Sequence, residues 1–152
     1  MNQATEERVV RLTRTLSASA ADVYNALVDP DQLARWYGPE GFRVTDVESD
    51  ATPGGRFRAL MLSDAGEEGH FIGIYKELIP GERLVMSWGF EYPDNSSVHD
   101  SELVFELTEV SPELTELTLI HHLGSATPGG FEGVTEGWTG ALNRLVSVFE
   151  TA

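Results

Sequence analysis

Between Phe42 and Leu123 the chain alternates apolar and polar side chains in six successive runs, and no connection between them reaches the dozen residues that a parallel crossover requires. The runs are FRVTDVESD, GRFRALML, EGHFIGIYKELI, RLVMSWGFE, SELVFELTEV and TELTLIHHL. Pro53-Gly54-Gly55, Asp64-Ala65-Gly66, Pro80-Gly81, Pro93-Asp94-Asn95 and Ser111-Pro112 punctuate them. Residues 8 to 16 (RVVRLTRTL) alternate as well, with Val10 and Leu12 on one side and Arg14 next in that register, so seven strands are expected in one antiparallel sheet.

The pattern then changes period. Over residues 131 to 150, Val134, Trp138, Ala141, Leu142, Leu145 and Phe149 recur at helical spacing. This stripe must face an apolar partner, and the β-rich middle of the chain is the one available. Two shorter helical faces follow the first strand. Ser17 or Ser19 caps AADVYNALVDP, where Val23, Ala26 and Leu27 share a face that Asp29-Pro30 ends, and DQLARWYGP stops at Gly38-Pro39. A long helix laid over a curved sheet leaves a gap between them, filled by side chains or by a ligand.

Strand alternation nominates the face that looks toward this helix. Phe57, Ala59 and Met61 share a side, as do Leu84, Met86 and Trp88; Leu103, Phe105 and Leu107; and Leu117, Leu119 and His121. In EGHFIGIYKELI both faces are apolar, so His70/Ile72/Ile74 and Phe71/Gly73/Tyr75 remain alternative inner sets. For Trp138, Trp88 and Phe57, plain core and cavity wall remain alternative and overlapping readings, since burying one such side chain contributes roughly 1.5 to 3 kcal/mol by itself. Gly137 and Gly140 each weaken a helix by about 1 kcal/mol relative to Ala, and either close helix–sheet approach or a widened cavity mouth accounts for them.

Length and composition bound the function. The 152 residues suit a single domain spanning 1–152. No apolar run has membrane-spanning length, and MNQATEERVVRLTRTL is no signal peptide, so a soluble cytoplasmic protein is expected. The absence of cysteine excludes disulfides and thiol chemistry. With 25 Asp and Glu against 10 Lys and Arg, the net charge of −15 disfavours nucleic acid and anionic membrane as partners. The acids are scattered, which fits a solvated surface better than a dock for a basic partner.

Catalytic motifs are absent. No nucleophile elbow, phosphate loop or dinucleotide fingerprint occurs, and the PGG triplets at 53–55 and 128–130 read as turns. His121 and His122 point to opposite faces of a strand, so they cannot chelate a metal as a pair, and His70 and His99 have no partner at ligand spacing. His121, flanked by Leu117 and Leu119, is expected to be neutral, with one ring nitrogen hydrogen-bonded. The expectation is no catalytic residue, no metal and no cofactor. Asn95-Ser96-Ser97 matches a glycosylation sequon that a cytoplasmic chain leaves idle.

Five segments together resemble a known family. They are ASAADVYNALVDPDQLARWYGP (18–39), PGGRFR (53–58), GIYKELIPGERLVMSW (73–88), TELTLIHH (115–122) and EGWTGALNRL (136–145). Their order and spacing are similar to the activator of heat-shock protein 90 ATPase homologue-like family, within the START-like (SRPBCC) superfamily that also holds the birch-pollen-allergen fold. The resemblance implies an α+β helix-grip fold: a curved seven-stranded antiparallel sheet wrapped around a long C-terminal helix, with two short helices after the first strand. It further implies that Trp36, Tyr37, Trp88, His121 and Trp138 line a ligand pocket, to which the inward pattern adds Phe57, Met61, Met86, Phe105, Leu119 and Leu142.

Three functions fit. Non-catalytic binding of a small hydrophobic or amphipathic molecule by a monomer or homodimer is favoured. A chaperone-associated or regulatory partner protein, and a cyclase- or hydratase-type enzyme using the same cavity, are the alternatives. The eukaryotic activator joins a separate N-terminal domain for which this chain has no room.

Overall fold

A computed structural model describes residues 9–38, 41–94, 97–123 and 130–150. Its strands are β1 (Val9–Leu16), β2 (Phe42–Ser49), β3 (Arg56–Ser63), β4 (Glu68–Ile79), β5 (Arg83–Glu91), β6 (Ser97–Ser111) and β7 (Leu114–His122). They form one antiparallel sheet in the order β1-β7-β6-β5-β4-β3-β2. Each connection from β2 to β7 is a hairpin, and the N-terminal strand pairs with the last one. The sheet curls around α3 (Gly130–Glu150), while α1 (Ala20–Val28) and α2 (Pro30–Trp36) lie between β1 and β2 in the chain. This is the expected helix-grip arrangement.

Local chemistry explains the short helices. The Ser19 hydroxyl accepts from the Asp22 N–H at 3.2 Å and so caps α1. Asp29 both ends α1 and caps α2, its carboxylate accepting from the Gln32 N–H at 3.1 Å. Pro30 therefore occupies the first turn of α2, where its missing N–H costs nothing, and the helix begins one residue before the segment read from the sequence. β6 likewise begins at Ser97, four residues earlier than Ser101, because Glu91 and Phe90 extend β5 to pair with Ser97 and Val98. Asn95, Ser96 and the Pro128-Gly129 step lie outside the described residues.

Register aligns the inner face. Val10, His121, Leu103 and Met86 form one row across four strands, and Leu12, Leu119, Phe105 and Leu84 form the next. Arg14 continues the inward register of β1, and its Nε–H reaches Asn143 of α3 at 3.3 Å. Pairing of Ala59 with Phe71, and of Phe71 with Phe90, settles β4: Phe71 and Tyr75 are buried, Ile74 is exposed, and His70 faces outward. Gly73 sits between Phe71 and Tyr75, where an added Cβ would fall 2.4 Å from the Ser87 carbonyl oxygen. Only glycine permits that approach of β4 to β5.

The convex face combines a small apolar cluster, Val85, Val104 and Ile120 with Val9 packed against it, with charged side chains. Arg58–Glu91 (2.8 Å), Lys76–Glu102 (3.1 Å) and Arg83–Glu77 (2.8 Å) form ion pairs there, and His70 Nδ1 lies 3.8 Å from Glu91. Being partly solvated, each pair contributes about 0 to 1 kcal/mol. Among the described residues no helix is long and apolar enough to cross a membrane.

Candidate functional site: an apolar cavity under the C-terminal helix

A cavity of about 340 Å³ separates the first half of α3 from the inner face of the sheet. Phe42, Met61, Phe71, Trp88 and Phe90 bound it from β2, β3, β4 and β5; Tyr37 and Gly38 bound it from the segment after α2. α3 contributes Gly133, Val134, Gly137, Trp138 and Ala141. Gly133, Gly137 and Ala141 stand four residues apart, so the helix presents a stripe almost without side chains, flanked by Val134 and Trp138. That stripe is why helix and sheet do not close on each other here. Phe42, Met61, Gly133 and Gly137 are half-buried and mark the mouth, whereas the other lining residues are buried.

The rings of the wall pack on one another. Tyr37 makes edge contacts with Phe71 (centroids 5.1 Å apart) and Trp138 (5.4 Å), and Trp88 lies 6.4 Å from Trp138. Arg144 of α3 donates to the carbonyls of Trp36 (3.3 Å), Tyr37 (3.5 Å) and Gly38. A guanidinium at the C-terminal end of α2 satisfies carbonyls that the helix leaves open, and so ties the segment bearing Tyr37 to α3. Gly38 has φ +95, and a Cβ there would meet Val44 Cγ2 at 2.9 Å. Gly38→Ala is therefore expected to lower stability by about 2 kcal/mol, measured by urea unfolding.

Behind the wall runs a directed chain of hydrogen bonds. The Trp138 indole N–H donates to His121 Nδ1 at 3.0 Å, and because an indole only donates, the ring proton of His121 must sit on Nε2. Nε2–H then donates to Ser101 Oγ at 3.0 Å, and the Ser101 hydroxyl donates to the Trp88 carbonyl at 2.7 Å. From the other end of the same residue, the Trp88 indole N–H donates to the Tyr37 hydroxyl at 3.1 Å. Both nitrogens of His121 are thus engaged. Burial, helped by the nearby His122 charge, pushes its pKa down to about 3, so the ring is neutral. Burial pushes the Tyr37 phenol well above its ordinary range, so it too is neutral.

The structure divides the eleven residues expected at a pocket. Tyr37, Met61, Trp88 and Trp138 line the cavity. Trp36, Phe57, Met86, Phe105, Leu119, His121 and Leu142 lie instead in packed core, off the cavity surface. The reason is position along α3. Past Ala141 the helix carries Leu142 and Leu145, which join α1, α2 and the other end of the sheet in one filled core. Trp36 is consumed there, its indole N–H donating to the Ala26 carbonyl at 2.9 Å. His121 underlies the wall and acts on it through Trp138. Phe90 and Phe71 were missed: Phe90 continues the 84, 86, 88 parity, a legible signal, whereas Phe71 lies in the strand whose two faces look alike. Among the described residues, no group of three or more His, Asp or Glu is placed to hold a metal.

Known proteins share this architecture over nearly the whole chain. A structure from Chromobacterium violaceum is 32% identical, covering 93% of this chain and 97% of its own with a TM-score of 0.77. A Silicibacter pomeroyi AHSA1 protein (22% identity, 94% and 98% covered, TM-score 0.82) and an Arthrobacter aurescens protein (21%, 99% and 91%, TM-score 0.85) show the same fold. Comparison with curated proteins gives no match. The family described as Activator of Hsp90 ATPase homolog 1-like protein matches residues 17–150, from just before the cap of α1 to the end of α3, and the chain belongs to that family.

Proposed function

We propose that this protein is a non-catalytic binder of one small apolar molecule, held between α3 and the sheet. The observation that carries the reading is the cavity of about 340 Å³, walled by six aromatic side chains and a glycine stripe, with no ionisable side chain among the described residues other than the neutral Tyr37 phenol. That volume lies within the usual range for small-molecule sites. The reading excludes His121 as a base, because both its nitrogens are already hydrogen-bonded and its pKa is far below neutrality.

Naphthalene is a suitable probe, since an apolar cavity of about 150 Å³ accepts benzene and this one has roughly twice that volume. Titration should quench tryptophan emission saturably with one site per chain. Trp138→Phe should reduce the quenching amplitude, because that indole forms part of the wall. Failure of naphthalene to bind, together with stimulation of a chaperone ATPase by the protein, would move the assignment to a partner-protein role.

A further inference from the structure

The hydrogen-bond chain behind the cavity has an end that is not spent. Among the described residues, three lining side chains carry an N–H or O–H: Trp138, Trp88 and Tyr37. Trp138 gives its proton to His121 and Trp88 gives its proton to Tyr37. The Tyr37 oxygen therefore accepts, and among the described residues its own proton meets no acceptor. Tyr37 is 5% exposed, so its hydroxyl is removed from bulk water, and the residue lines the cavity. A buried donor left without an acceptor is costly, whereas an acceptor on a bound molecule would satisfy it.

We propose, building on the binding reading above, that Tyr37 is the polar anchor of the cavity and that the ligand is an uncharged molecule of about two fused rings bearing a carbonyl-type acceptor. Size follows from volume: about twice a benzene-sized cavity. Neutrality follows from the lining, which among the described residues offers no charged partner to an ion, and from the net charge of −15, which repels anions. The need for an acceptor follows from the direction of the chain. Donors run from Trp138 through His121 and Ser101 to the Trp88 carbonyl, and separately from the Trp88 indole to Tyr37, so the Tyr37 hydroxyl has its proton left to offer onward. A ligand presenting only a donor would face an oxygen already accepting from Trp88.

The test compares 2-acetylnaphthalene with 2-isopropenylnaphthalene, which has nearly the same shape but CH2 in place of the carbonyl oxygen, and with 2-naphthoate. Calorimetric titration of the wild-type protein should give roughly tenfold tighter binding of the ketone than of the alkene, and no binding of naphthoate. In Tyr37→Phe the tenfold preference for the ketone over the alkene should disappear. Infrared spectra of the bound ketone provide a readout that does not depend on the variant folding: the carbonyl stretch should shift to lower wavenumber in the wild type. Equal affinities for ketone and alkene with an unshifted carbonyl overturn the anchor while leaving the binding function intact. Tighter binding of naphthoate overturns the neutral class, and failure of all three probes overturns the binding reading and the anchor with it.

Discussion

Acidification from pH 6.5 toward pH 3 is expected to remove on the order of 4 kcal/mol of folding stability through His121 alone. In the unfolded chain this imidazole titrates near 6.5, and in the folded protein near 3. Between those values the unfolded state binds a proton that the folded state refuses, so stability falls as pH falls. Above pH 6.5 neither state is protonated and the contribution vanishes. Desolvation is the leading cause and the His122 charge the second. Geometry adds a further reason: a proton on Nδ1 would confront the Trp138 N–H that now donates to it.

The measurement is urea unfolding of wild type and His121→Gln between pH 7.5 and 4. Glutamine retains one donor and one acceptor but does not titrate, and all other titrating groups are common to both chains. The variant should be less stable at pH 7.5 by about 1 to 2 kcal/mol. As pH falls the two curves should converge and cross, and parallel curves would show that His121 does not keep its depressed pKa.

Gly137→Leu is expected to weaken naphthalene binding by about a hundredfold while raising stability. The glycine lies in the middle of α3 and lines the cavity, so a leucine there projects its side chain into the space a ligand would use. Replacing a mid-helix glycine gains about 1 kcal/mol in backbone terms, and burying the new side chain adds to it. For a chain of this length a gain of 1 kcal/mol is a rise of roughly 2 to 4 °C in Tm. Opposite signs make the result hard to mistake. A misfolded variant loses both binding and stability, and a variant that binds naphthalene unchanged places the ligand elsewhere.

Much of this was readable from side-chain order. Alternation through Leu84, Met86 and Trp88 put those residues on one face, and the stripe from Val134 to Leu145 placed Trp138 against them, because strand and helix periods are local properties of the backbone. The neutral, hydrogen-bonded state of His121 was also legible, since leucines at 117 and 119 announced an apolar neighbourhood. Its partners Ser101 and Trp138 were not, being 20 and 17 residues away.

Three matters were decided only in three dimensions. The orientation of β4 came from its pairing with β3 and β5, because a strand apolar on both faces carries no local signal of which face is inside. The role of Arg144 came from α3 passing beside the end of α2, a contact between residues more than 100 positions apart. The division of the eleven candidate residues into cavity wall and filled core came from where along the helix its side chains vanish relative to the aromatic rings opposite. Sequence periodicity determines which way each side chain points. The space left over is a small difference between the volume the backbone encloses and the volume the side chains fill, and only the packed tertiary structure sets that difference.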